Sequence, residues 1–137
     1  MSNRNAEVLL KGMIGLGGAF EVVMGAAVML WGDTIVAMAT GLQTIPNYPL
    51  YWRTMGLLAV TLGSLQLVAA RDPARYIVIP LAACCVRFIL PILTIVQAFE
   101  TPEMAMLLVG STAFDVMIAM VTLALIIRLR PIFQVLS

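Results

Sequence analysis

The chain has 137 residues, 62% of them hydrophobic and only 11% charged, with a net charge of +1. Soluble domains carry about 25% charged residues, so a mean hydropathy of +1.04 excludes an ordinary soluble fold, and the near-neutral balance gives no nucleic-acid footprint. The absence of histidine removes imidazole bases, ordinary haem ligation and histidine zinc sites. The expectation is one integral membrane domain over residues 1–137.

In chain order, the first apolar segment covers about 9–31 and ends on Trp31. It is too long for the apolar core of a signal peptide and contains Glu21, so it is expected to be a retained first span. Residues 32–52, "GDTIVAMATGLQTIPNYPLYW", form the longest link. Asp33 is placed to cap a short helix over 34–40 that Gly41 would end, and the "PNYP" run at 46–49 forces a turn. An interfacial or partly re-entrant segment is expected there.

The second span is expected over about 53–70, with Tyr51 and Trp52 extending its interfacial end. Arg71, Asp72 and Pro73 close it in a tight turn. The third covers about 76–98; Pro80 and Pro91 within it lack the N–H that would bond the carbonyls of Tyr76 and Arg87. Cys84 and Cys85 are adjacent rather than spaced C-x-x-C, so they are expected to be small buried residues rather than a redox pair. Thr101 and Pro102 open the fourth span, about 105–127, with Arg128, Arg130 and Pro131 expected to stop it. Each span is near the length that about 30 Å of hydrocarbon demands. The short links predict an all-α membrane protein, an antiparallel four-transmembrane-helix bundle.

Arg4, Lys11, Arg71, Arg75, Arg128 and Arg130 all fall on one side of such a bundle. The positive-inside rule puts that side, with both termini, in the cytoplasm. Trp31, Asp33, Trp52 and Arg53, together with Tyr48 and Tyr51, are then candidates for the outer interface.

Three charges lie inside the spans. Glu21 is ten residues past Lys11, Arg87 eleven past Tyr76 and Asp115 ten past Ala105, so each is about 15 Å from its helix end. They share one depth near the bilayer centre. Each also shares a helix face with small or hydroxylated residues: Gly17, Gly18 and Gly25 with Glu21; Ala83, Cys84 and Thr94 with Arg87; Thr112, Ala119 and Thr122 with Asp115. The second span contributes Gly56, Ala59, Gly63, Gln66 and Ala70 on one face. Such faces let helices approach closely. A lone charge at mid-bilayer costs about 3 kcal/mol by insertion scales, so Glu21, Arg87 and Asp115 are expected to meet, with Gln66, in one intramembrane network. Two carboxyls against one guanidinium leave one excess negative charge, which a dry interior is expected to neutralise with a proton.

Three roles are compatible with this network. In the first it pins the helices of a non-catalytic subunit or scaffold in a larger membrane assembly, with lipids, other membrane subunits or further copies of the chain as partners. In the second the odd proton serves a transporter or channel. In the third the carboxyls bind or modify a quinone, a sterol-like molecule or a lipid. No cofactor and no metal is demanded by the residues, and the first role is the expectation.

"RTMGLLAVTLGSLQLVAARDPAR", residues 53–75, resembles the second helix of small DoxX-like bacterial membrane proteins and related four-helix families. An arginine opens the helix, glycines recur, and a turn of the form a-a-R-x-P follows. "GLGGAFEVVMGAAVMLWGD", residues 15–33, fits their first helix more loosely. The resemblance covers about half of the chain. It implies a four-helix protein of a bacterial-type inner membrane, in a group with some members tied to quinone-dependent or respiratory systems. Arg53 and Arg71 match that pattern by position; Glu21 and Asp115 are not assigned to it.

Overall fold

The computed structural model describes residues 3–41, 49–100 and 105–133. The described chain is helical throughout, in the order α1 (Asn3–Thr40), α2 (Pro49–Arg71), α3 (Val78–Glu100) and α4 (Ala105–Phe133). Each helix holds a stretch long and apolar enough to cross a membrane: Asn3–Ile35, Arg53–Arg71, Val78–Val96 and Thr112–Leu129. Leu16, Val23, Ile89, Ile92, Leu93 and Ile127 are exposed on the sides of these helices, which water would penalise and hydrocarbon accepts. The chain is a multi-pass membrane protein.

Helix α1 breaks where the first span is expected to end: Trp31 leaves helical geometry at φ −134°, ψ 23°, and the helical piece after it runs to Thr40, covering the short helix expected over 34–40. Gly41 then ends it with φ +68°, its N–H donating to the Ala37 carbonyl at 2.9 Å, as a left-handed C-terminal glycine should. The expected capping role of Asp33 is not found. Asp33 lies within the helix, two residues past the break, and its buried Oδ1 has no hydrogen-bond partner. Residues 42–48, which carry most of the predicted turn, lie outside the described residues.

Helix α2 starts at Pro49, a residue suited to a first turn because its missing N–H would be unpaired there anyway. At the other end the Asp72 side chain accepts from the Arg75 N–H at 3.2 Å, and its carbonyl accepts from the Tyr76 N–H at 3.2 Å. This Asp-Pro turn extends through residue 77, so α3 begins at Val78 instead of residue 76. It also corrects the expectation for Pro80. The Tyr76 carbonyl is not released, because the Ile79 N–H donates to it at 3.0 Å. Pro91 lies inside α3. Pro131 does not stop α4 at once: the helix continues two residues further, to Phe133, without the N–H that would bond the Ile127 carbonyl. The predicted cap at Thr101 and Pro102 lies outside the described residues.

The closest packing joins α1 to α2. A Cβ placed on Gly18 would fall 2.7 Å from the Gly63 carbonyl oxygen, and one on Gly25 would fall 2.7 Å from that of Gly56. The contacts are reciprocal, with Gly63 against the Gly18 carbonyl and Gly56 against that of Gly25, each at 2.5 Å. Spacing of seven residues on both helices keeps each glycine pair on the same seam. Helices α3 and α4 meet through a Thr112 hydroxyl donating to that of Thr94 at 3.2 Å, and the Cys84 thiol facing the Ala119 carbonyl at 3.6 Å. Phe20 of α1 packs on Phe114 of α4 with ring centroids 4.7 Å apart. An apolar cluster of Ala6, Leu10, Ile14, Ala69, Leu125, Ile126 and Leu129 gathers the start of α1 with the ends of α2 and α4.

Candidate functional site: a polar contact of four helices

Above that apolar cluster, four polar side chains meet, one from each helix. Arg87 of α3 is buried, at 3% exposure, and its Nη2 donates to Glu21 Oε1 of α1 at 2.5 Å. The other Glu21 oxygen, Oε2, accepts from Gln66 Nε2 of α2 at 2.5 Å. Asp115 of α4 completes the group through an ion pair of 3.6 Å from Oδ1 to Arg87 Nε. That separation is too long for a hydrogen bond, and Nε is buried without a hydrogen-bond partner. The two acids therefore differ. Glu21 is held by two short bonds, whereas Asp115 acts on Arg87 as a nearby charge.

Local sequence explains the fit. Gly17 leaves room for the guanidinium, which lies where its side chain would be. Gly63 lets α1 approach so closely that a Cβ there would be 2.9 Å from that of Glu21. Gln66, three residues on, is thereby brought within reach of the Glu21 carboxylate. Burial separates the members: Gln66 is closed off at 1%, while the Glu21 and Asp115 side chains keep 14% and 20% exposure. What the arrangement offers chemically is charge neutralisation, helix registration and two carboxyls that keep partial exposure. Among the described residues, no group of three or more His, Cys, Asp or Glu side chains is placed to hold a metal ion.

All four network residues picked from the sequence are thus brought together. Several supports were not legible there: Gly17 serving α3 while its neighbour Gly18 serves α2, the Phe20–Phe114 pair beside the two acids, and the Thr94–Thr112 contact. Adjacent positions on a helix point about 100° apart, so Gly17 and Gly18 were separable in principle, but only once the neighbours were known. The same rotation divides the cysteines, with Cys84 buried, Cys85 exposed and both thiols free. Of the interface candidates, Trp31 is exposed at the α1 break, Arg53 is exposed near the start of α2, and Asp33 is half-buried. Trp52 belongs to α2, and its side chain lies outside the described residues. Trp31, Asp33 and Arg53 do not join the network.

Fold and site define a four-helix membrane protein with an intramembrane ionic network. Comparison with known protein families, with characterised proteins and with solved structures gives no match.

Proposed function

We propose that this chain is a non-catalytic subunit or scaffold of a larger membrane assembly, built as an antiparallel four-transmembrane bundle in a bacterial-type inner membrane. Both termini and the 72–77 turn would face the cytoplasm, and the helical piece after Trp31 would lie at the opposite interface. A DoxX-like architecture is part of this reading. One observation carries it: four polar side chains, Glu21, Gln66, Arg87 and Asp115, come one from each helix and meet, with Arg87 bonded to Glu21 and 3.6 Å from the Asp115 carboxyl. A pin of this kind fixes the register of helices that lipid alone would not order, because lipid tails compete with apolar side chains on equal terms. The broad apolar sides of the bundle remain available to lipids and to neighbouring subunits.

Extraction in a mild detergent followed by native mass analysis tests this reading. A stoichiometric protein partner, or a defined homo-oligomer, supports it. A bare monomer that retains a small lipophilic molecule contradicts it and supports a second reading, in which the partly exposed carboxyls of Glu21 and Asp115 bind a quinone, a sterol-like molecule or a lipid. Proton flux dependent on the two carboxyls in reconstituted vesicles would point instead to transport.

A further inference from the structure

The far end of the α1–α2 pair holds a cavity of about 470 Å³, open to the outside and lined by Met29, Leu30, Arg53, Thr54 and Leu57. Its depth follows from the helices. Trp31 is twenty residues past Lys11 and Arg53 is eighteen before Arg71, so both are about 27–30 Å from the basic residues at the other end. That distance matches the hydrocarbon thickness. The contact of Gly56 with Met29 fixes the register of the two helices here, a Cβ at Gly56 falling 2.6 Å from that of Met29. Arg53 and Thr54 therefore sit at headgroup level, with Leu57 one turn deeper.

Arg53 is exposed, and among the described residues no carboxylate forms an ion pair with it. Immediately beside the cavity, Trp31 breaks the helix and stays 58% exposed, in the manner of an interfacial aromatic. The cavity thus joins a cation that has no ion pair among the described residues, and a hydroxyl, to a deeper apolar wall. We infer that this cavity binds one anionic phospholipid, its phosphate on Arg53 and Thr54 and the upper part of an acyl chain along Met29, Leu30 and Leu57. Guanidinium suits a phosphate through paired N–H bonds. Free phosphate would use the same two polar groups but leave the apolar wall unfilled.

The test uses the full chain in nanodiscs of phosphatidylcholine doped with phosphatidylglycerol, reading retained lipid by native mass spectrometry. The wild type should keep one phosphatidylglycerol in preference to phosphatidylcholine by about fivefold, the worth of one basic residue at an anionic surface. Arg53→Gln should abolish the preference, whereas Arg75→Gln, at the opposite end, should leave it unchanged. Leu57→Trp, which fills the apolar wall, should lower retention with Arg53 intact. Equal losses from Arg53→Gln and Arg75→Gln would overturn the proposal in favour of diffuse surface charge. Displacement of the signal by inorganic phosphate alone would overturn it in favour of a free-anion site. A protein seated there in place of lipid would also overturn it.

Discussion

The guanidinium of Arg87 occupies the space that a side chain at Gly17 would take: a Cβ there would lie 2.8 Å from Nη2 and 2.9 Å from Nη1. Gly17 is therefore part of the ionic site although it carries no polar side chain. Gly17→Ala must shift a buried guanidinium away from its short bond to Glu21 and is expected to destabilise the protein by about 1–3 kcal/mol, the usual range for overpacking. Gly12 has nothing within 4 Å of its Cβ position, so Gly12→Ala should be neutral or stabilising by up to about 1 kcal/mol through helix propensity alone. Unfolding in mixed micelles measures both, and a shared sign would refute this role of Gly17.

The α1–α2 seam makes a second contrast. Gly18→Leu drives a branched side chain into the backbone of α2 and should separate the hairpin, lowering the yield of folded protein. Val23 is 66% exposed, and Val23→Leu should be mild. Equal tolerance at both positions, read by size-exclusion profile and thermal stability, would place the wrong face of α1 against α2.

Much of this was legible in the sequence because burial in lipid leaves a strong signature. The four apolar runs predicted the spans, and charges that are expensive in hydrocarbon predicted that Glu21, Arg87, Asp115 and Gln66 would converge. Ends were harder. The helix over 34–40 and its end at Gly41 were legible, but the capping role given to Asp33 was not met, and α4 continues for two residues past Pro131. Asp72 displaced the start of α3 by using both its side chain and its carbonyl in the turn, which a propensity reading does not anticipate. Pair assignments such as Phe20 with Phe114 depend on how the helices are rotated against each other, and hydropathy holds no information about that.

The cysteines give a third prediction. Cys85 is exposed on the apolar side of α3, while Cys84 is buried against the Ala119 carbonyl. A small membrane-permeant maleimide should modify Cys85 well before Cys84, as followed by peptide mass mapping. The Cys84→Ala, Cys85→Ala double variant should fold and keep its partner. Loss of function in a folded double variant would establish the thiol chemistry that this account leaves out.

Orientation is tested by accessibility. In the proposed antiparallel arrangement the basic residues Arg4, Lys11, Arg71, Arg75, Arg128 and Arg130 share one end of the spans, which the positive-inside rule assigns to the cytoplasm. Cysteine introduced at Ser2 or Ser137, in the Cys84→Ala, Cys85→Ala background, should resist an impermeant thiol reagent on intact cells. Both positions should react after the membrane is opened. Labelling in intact cells would reverse the proposed topology.

The central claim is that Arg87 is present to satisfy Glu21 and Asp115, and the stability of a matched variant tests it most directly. Arg87→Met alone strands two half-buried carboxyls and should cost up to about 3–5 kcal/mol, less whatever proton uptake by the acids recovers. Combining it with Glu21→Gln and Asp115→Asn removes all three charges while leaving Gln66 an amide partner at residue 21. The triple variant should regain most of the lost unfolding free energy, and partner binding should return with it. A triple variant no more stable than Arg87→Met would contradict the claim, since the three groups would then not be compensating one another.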